Sequence, residues 1–454
     1  MKKYTIIAAT ILVALSSCKH TDDTASYPQW LESDSVKAID DRIAADFTLS
    51  KDTLAILLAE SYENFNAADI DSFTAARYLE SRVIDGRELF HRKSVRNFGL
   101  LCPTYNGGTR PRGAAASEAR ISYVDSMLAY SRGKMPDGGA HEVTFCFSVD
   151  VPYHQALEGD TVRVWMPLPL DSDRSMRQSG VEILSASPSN YVLSGDRSKH
   201  NTIYFEAPAA AEGDTVHFEY TGKFITSGAY MSAADIEKNI RPYDRTSDTY
   251  TRYTALPEGR HIVRLDSLAK VIVGEETDPF KQSELVYDYI IARYPWAGAR
   301  EYSTIECIPE YVLREGHGDC GQVSLLYISL MRTLGVPARW ESGWMLHPGE
   351  KNLHDWAEVY FEGIGWLPVD VSFGRYTGAS DPEARGFYSH GIDAHRFATN
   401  QGVGDELYPR KKYVRSETVD FQLGEVETSK GNLYYPAWNS HLELIDIKPV
   451  ELKK

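Results

Sequence analysis

The chain has 454 residues, too many for one hydrophobic core, so two or three domains are expected. With 43% hydrophobic and 25% charged residues it reads as folded and globular, which excludes a disordered or collagen-like chain. A formal charge of −16 argues against a nucleic-acid backbone as partner.

Lys2 and Lys3 precede an apolar stretch, Ile6 to Leu15, that is too short to span a bilayer. Leu15-Ser16-Ser17-Cys18 resembles a bacterial lipobox, which implies removal of residues 1–17 as a signal peptide and lipidation of Cys18. Residues 18–29 are polar and read as a tether, and the pair Asp22-Asp23 resembles a lipoprotein surface-export signal. The expectation is an outer-membrane lipoprotein of a bacterial cell envelope. It would be held to the membrane through Cys18 and face the periplasm or the outside. An ordinary signal peptide with a chance cysteine is the alternative.

Residues 30–140 read as a mostly helical region: Leu54, Leu57, Leu58, Tyr62 and Phe65 fall at helical spacing. Cys102 to Ala116, rich in Gly, Pro and Arg, is a loop, and no chemistry is visible in this part. Residues 141–226 change character. Val143-Phe145-Phe147-Val149, Val162-Val164-Met166 and Val216-Phe218-Tyr220 alternate, with turn signals between them, which predicts a β-sandwich domain. Helices return in 245–400, where Asp278-Pro279 opens one that runs to Tyr294. The tail, 401–454, holds short alternating runs such as Val419-Phe421-Leu423, expected to pack as strands on the core or on the β-domain. Tyr434, Tyr435 and Trp438 there are read as core or as the lining of a cleft.

Gly316-His317-Gly318-Asp319-Cys320-Gly321-Gln322 is followed by Val323, Leu326, Leu330 and Leu334 on one helical face, and Gly335 and Pro337 end that helix. Asp319 and Gln322 have capping-box spacing, so Asp319 is the N-cap and Cys320 lies in the first turn. There the macrodipole favours a thiolate over a thiol. Downstream, Leu353 to Phe361 alternates, with His354, Trp356, Glu358 and Tyr360 on one face and Leu353, Ala357, Val359 and Phe361 on the other. Trp366-Leu367-Pro368-Val369-Asp370 follows after Gly363-Ile364-Gly365. A thiolate attacking an acyl group needs an imidazole partner, and that imidazole needs a carboxylate to fix its tautomer. Cys320, His354 and Asp370 supply those residue types. A simple hairpin that pairs Glu362 with Trp366 puts Asp370 opposite Glu358, leaving His354 about 13 Å further along. Strand shear, a bulge or an acid beyond the strand end has to close that gap. The N–H of Cys320 is a natural oxyanion donor, and Trp296 or Tyr302 are candidates for the second.

Gly318-Asp319-Cys320, Leu334-Gly335-Val336-Pro337-Ala338-Arg339, His354-Asp355-Trp356-Ala357-Glu358-Val359-Tyr360 and Gly365-Trp366-Leu367-Pro368-Val369-Asp370 occur in that order. Together they resemble the core of the transglutaminase-like superfamily, over residues 275 to 400. The resemblance implies an α+β fold with a papain-like core, preceded here by the β-sandwich and the N-terminal helical region. It maps nucleophile, base and acid to Cys320, His354 and Asp370; with no EF-hand loop, P-loop or dinucleotide fingerprint in the sequence, no cofactor or metal is expected.

Of the other candidates, His317 is a loop residue or a substrate contact, Arg339 is structural, and Trp356 shields the imidazole. His390 and His395 are solvated loop histidines without metal-site spacing. Cys102, Cys146, Cys307 and Cys320 could form two disulfides in an oxidising compartment, but a chain of this size does not need them. The leading expectation is a thiol hydrolase that cleaves an amide in a peptide, protein or glycopeptide through a thioester. Acyl transfer to an amine, as in transglutaminases, and a non-catalytic surface binding module are the alternatives.

Overall fold

The computed structural model describes residues 33–108, 112–113, 117–129, 132, 139–156, 158–172, 174–256, 261–347 and 350–450. The expected signal peptide, Cys18 and the tether lie outside these residues. The fold mixes helix and sheet, as the sequence implies.

The site is built around a four-stranded antiparallel sheet in the order Gly365–Val369, Glu350–Phe361, Ala338–His347, Arg396–Gln401. The helix Cys320–Thr333 lies on one face. Its Val323, Leu326 and Leu330 share a cluster with Ala338, Trp340, Ala357 and Val359 from the strands. Burying aliphatic side chains of this size contributes about 1.5–3 kcal/mol each, so this contact fixes where the helix start points. The helices Pro279–Arg293 and Ile308–Glu315 complete that layer, the first capped by Asp278 accepting from Lys281 N at 2.9 Å.

Further along the same strands, Trp344 and Leu346, with Phe397, enter a second cluster, which is the interior of a β-sandwich. The alternation read at 143–149 and 162–166 puts Val143, Phe145, Phe147 and Val149 against Val162, Val164 and Met166 there. The C-terminal segment completes both sandwich sheets. Glu425–Glu427 pairs with Thr161–Pro167, and Asn439–Pro449 pairs along His141–Pro152. The tail therefore ladders into the sandwich instead of adding strands to the core sheet.

Region 30–140 is mostly helical, as read, but it also holds a small sheet that the reading did not include. Phe47–Ser50, Arg87–His91 and Ser81–Ile84 form a three-stranded sheet. Its hairpin turns on Asp85-Gly86, both with positive φ (49° and 75°), a two-residue turn signal that was present in the sequence. The helix Ser94–Leu101 docks this region beside the core. Asn97 donates to the Gly298 carbonyl at 3.0 Å and accepts from Gly298 N–H at 2.8 Å.

Candidate active site

The helix Ile308–Glu315 ends at Gly316, whose φ of 74° turns the chain back, and Gly318 then bridges to Trp296. Asp319 Oδ1 accepts from Gln322 N–H at 3.0 Å, and Gln322 Oε1 accepts from Asp319 N–H at 3.1 Å, which is the expected capping box. Cys320 therefore sits in the first turn, where its own N–H has no acceptor within the helix. Gly321 allows a close approach: a Cβ there would lie 2.7 Å from Asp355 Oδ2 and 2.8 Å from Trp340.

His354 and Asp370 meet. His354 Nε2 and Asp370 Oδ2 are 2.8 Å apart, both residues buried. The hairpin turns one residue earlier than the simple one, with a loop of the same length: Phe361 pairs with Gly365 and Val369 with Ala357, so Asp370 leaves the strand end two positions nearer to His354. Of the three ways to close the gap, an acid just beyond the strand together with this register shift is what occurs. Arg396, fully buried, donates from Nη1 to the same Oδ2 at 2.6 Å, and Ser372 N–H donates to Oδ1 at 3.0 Å. Burial works against the Asp370 charge, but His354 and Arg396 outweigh it and hold the carboxyl down to about 2. Burial also lowers His354, against the pull of Asp370, so its imidazole is neutral at pH 7 and Nδ1 is the nitrogen left for a second partner. Trp356 stacks at 6.2 Å between ring centroids and donates to Glu341 at 2.9 Å.

The thiol is engaged differently. Cys320 Sγ donates to Asp355 Oδ2 at 3.3 Å, while Cys320 and His354 line one cleft of about 630 Å³. The sequence predicts a thiolate at this helix start; its surroundings in the folded chain favour the thiol. Burial first, then the charges of Asp355 and Asp319, push Cys320 well above its ordinary value, and these outweigh the macrodipole. Asp355 was missed although its signal was legible: it is the acid on the otherwise apolar face of Leu353, Ala357 and Val359, the face that meets the cysteine helix. Gln422 holds it, donating from Nε2 to Asp355 Oδ1 at 2.7 Å and to the His354 carbonyl at 2.9 Å.

Arg112 was also missed, from the loop in which no chemistry was visible. Buried, it donates to the carbonyls of Tyr294 (2.7 Å) and Gly318 (2.6 Å), and its charge acts on Cys320, Asp319 and Asp370. Nothing in an isolated Pro-Arg-Gly sequence announces that role.

The remaining candidates are structural. His317 is buried, with Nδ1 3.0 Å from the Glu315 carbonyl oxygen. Arg339 pairs with Glu358 at 2.5 Å and stacks on Trp366. His390 packs on Tyr230 and Phe280, and His395 on His347 and His141; both are buried, not solvated as expected, because aromatic neighbours enclose them. Among the described residues no group of His, Cys, Asp and Glu could hold a metal ion. Cys102, Cys146, Cys307 and Cys320 are all unpaired. Tyr302 gives its hydroxyl proton to Asp319 Oδ1 at 2.6 Å, while Trp296 lines the cleft. Tyr435 lines it too, and Trp438 is buried in the sandwich.

Residues 266–371 match the family model of the transglutaminase-like superfamily. The chain carries a transglutaminase-like core. An uncharacterized protein of Haemophilus influenzae is 23% identical over 359 residues, covering 68% of this chain and 93% of that one. YebA, an uncharacterized protein of Bacillus subtilis, is 26% identical over 152 residues, 29% of this chain and 20% of YebA. Among solved structures, a candidate cysteine protease from Cytophaga hutchinsonii is similar at a TM-score of 0.44 and 15% identity, covering 69% of this chain and 94% of that chain. The periplasmic domain of TgpA from Pseudomonas aeruginosa is similar at a TM-score of 0.26 and 14% identity, covering 58% and 92%. The superfamily match lies within residues 266–371, yet Arg396, Gln422 and Arg112, which hold the transglutaminase-like site, all come from outside it.

Proposed function

We propose that this transglutaminase-like chain is a thiol hydrolase that opens an amide bond in a peptide, protein or glycopeptide. Cys320 is the nucleophile, His354 the base and Asp370 the acid that orients it. The observation that carries the reading is the buried 2.8 Å contact between His354 Nε2 and Asp370 Oδ2, which frees Nδ1 on the cleft that Cys320 shares.

His354 takes the Cys320 proton as sulfur attacks the carbonyl carbon, and a C–S bond forms. Negative charge develops on the carbonyl oxygen, and the free N–H of Cys320 at the positive end of its helix is the donor suited to it. Trp296 is the better candidate for a second donor, since the Tyr302 proton is committed to Asp319. His354 then protonates the amide nitrogen, the C–N bond breaks, and an amine leaves behind a thioester. Water, deprotonated by the same imidazole, displaces sulfur, so that carboxylic acid and thiol are regenerated. Asp370, paired also with Arg396, stabilises the imidazolium at each proton transfer.

The test is a peptide and glycopeptide library incubated with the protein and read by mass spectrometry, with an electrophilic thiol probe alongside. Cys320-dependent release of free acid is the expected result. Turnover unchanged in Cys320→Ala would refute the reading. Incorporation of an added amine in place of water would move it to acyl transfer. The same proposal places the protein in the cell envelope, anchored by lipid on Cys18; incorporation of an alkynyl fatty acid, lost in Cys18→Ser, tests that.

A further inference from the structure

The floor of the cleft is acidic in a way the hydrolysis does not need. Asp355, Asp319, Asp420 and Glu417 come from the His354 strand, the helix cap and the C-terminal segment, and all four line the cavity of Cys320. None forms an ion pair among the described residues. Asp319 is satisfied by its cap and by Tyr302, Glu417 by Val419 N–H at 2.7 Å, and Asp355 by Gln422 and the thiol. Asp420 lines the cavity at 7% exposure, and no described side chain or N–H bonds to its carboxyl. Arg415 gives its guanidinium to the carbonyls of Asp405 and Asp420 and lies 3.6 Å from Glu425.

Of the cations that line the same cleft, Lys93 donates to the Ala299 carbonyl at 2.6 Å, Arg96 lies over the Trp296 ring, Arg120 pairs with Glu350, and Arg300 pairs with Glu80 at 3.2 Å. Burial and mutual repulsion hold Asp355, Asp420 and Glu417 well above their ordinary values, and the pull of Arg415 on Asp420 and Glu417 does not offset them. Taking a carboxylate out of water unpaired costs several kcal/mol, so an arriving cation gains what the protein leaves open.

We propose that Asp420, Asp355 and Glu417 form an ammonium-binding subsite, which selects acyl donors carrying a free amino group within about one residue of the scissile carbonyl. The spacing follows from Asp355, which touches both the cluster and the nucleophile: Sγ to Oδ2 is 3.3 Å, about the length of one extended residue. An ammonium has three donors for the three carboxyls. Its charge also offsets the repulsion that adds to burial in keeping Cys320 protonated, so the substrate that fits is the one that arms the thiol. The inference rests on the hydrolase reading for the word "substrate", but not for the binding.

The test compares one tripeptide-amide library with free and with N-acetylated amino groups. Hydrolysis is followed in the wild-type protein, and binding to Cys320→Ala is followed by the fluorescence of Trp296 and the other tryptophans. Free-amine peptides are expected to exceed their acetylated twins at least about tenfold in kcat/KM and in affinity. That ratio should fall toward one in Asp420→Asn and, as a second variant, Glu417→Gln. Equal handling of both forms with Cys320-dependent turnover would overturn the subsite and leave the hydrolase standing. Selective binding of free amines without turnover would do the reverse. A ratio that survives both substitutions would also overturn the subsite.

Discussion

Replacing Asp370 by asparagine keeps the side chain's shape and removes one charge from a fully buried network. The wild-type carboxyl is held down to about 2, against 3.8 ordinarily, by His354 and Arg396. A gap of that size is worth about 2 kcal/mol of folding stability at neutral pH. Because the folded value is the lower one, this stability is fully present above the unfolded carboxyl's range. It is lost as pH falls from about 5 through about 2. In Asp370→Asn, Arg396 keeps Asp393 at 3.2 Å but loses its 2.6 Å partner, so the total cost at pH 7 should be about 2–4 kcal/mol. Urea unfolding by circular dichroism at pH 7 and pH 3 should therefore show a difference from wild type that shrinks at the lower pH. Turnover should fall by about 10²–10⁴, since an amide can bond to the imidazole but cannot stabilise the imidazolium. A variant that unfolds like wild type at pH 7, or turns over within threefold of it, would refute the argument.

Asp355→Asn removes the charge beside the thiol, so the rate of Cys320 alkylation by iodoacetamide should rise and its pH midpoint move down; an unchanged profile would mean Asp355 does not control the sulfur. Gly343→Ala sets a methyl on the Phe397 carbonyl of the neighbouring strand, directly opposite His354 in the ladder, and should cost about 1–3 kcal/mol in thermal unfolding along with turnover. Arg112→Ala strips buried donors from the carbonyls of Tyr294 and Gly318 and should cost about 2–4 kcal/mol, with Cys320 alkylation slowed at a given pH; alkylation as in wild type would confine Arg112 to a structural role.

What the sequence showed well was local. The capping box at Asp319 and Gln322, the alternation of the sandwich strands and the two faces of the His354 strand depend on neighbours a few residues apart, and all are present. What it hid was register and distance in the chain. The hairpin at Gly363 turns one residue earlier than the simplest pairing and so shifts the register by two, a choice made by loop geometry and not by side-chain type. Arg396, Gln422 and Arg112 reach the site from 26, 68 and 206 residues away, spacings that carry no periodic trace. The helix dipole at Cys320 was read correctly as a force but not as the winning one, because the opposing acids converge only in the folded chain.

Gln422 has a consequence for how this molecule can be cut. Its one amide clamps the His354 carbonyl and Asp355 together, and it is carried by the segment that goes on to seal the sandwich edges at Glu425–Glu427 and Asn439–Pro449. A fragment trimmed to the recognisable core would hold all three chemical groups and lack the brace between them. A single proteolytic nick near residue 424 would cut the same brace from the strands that anchor it.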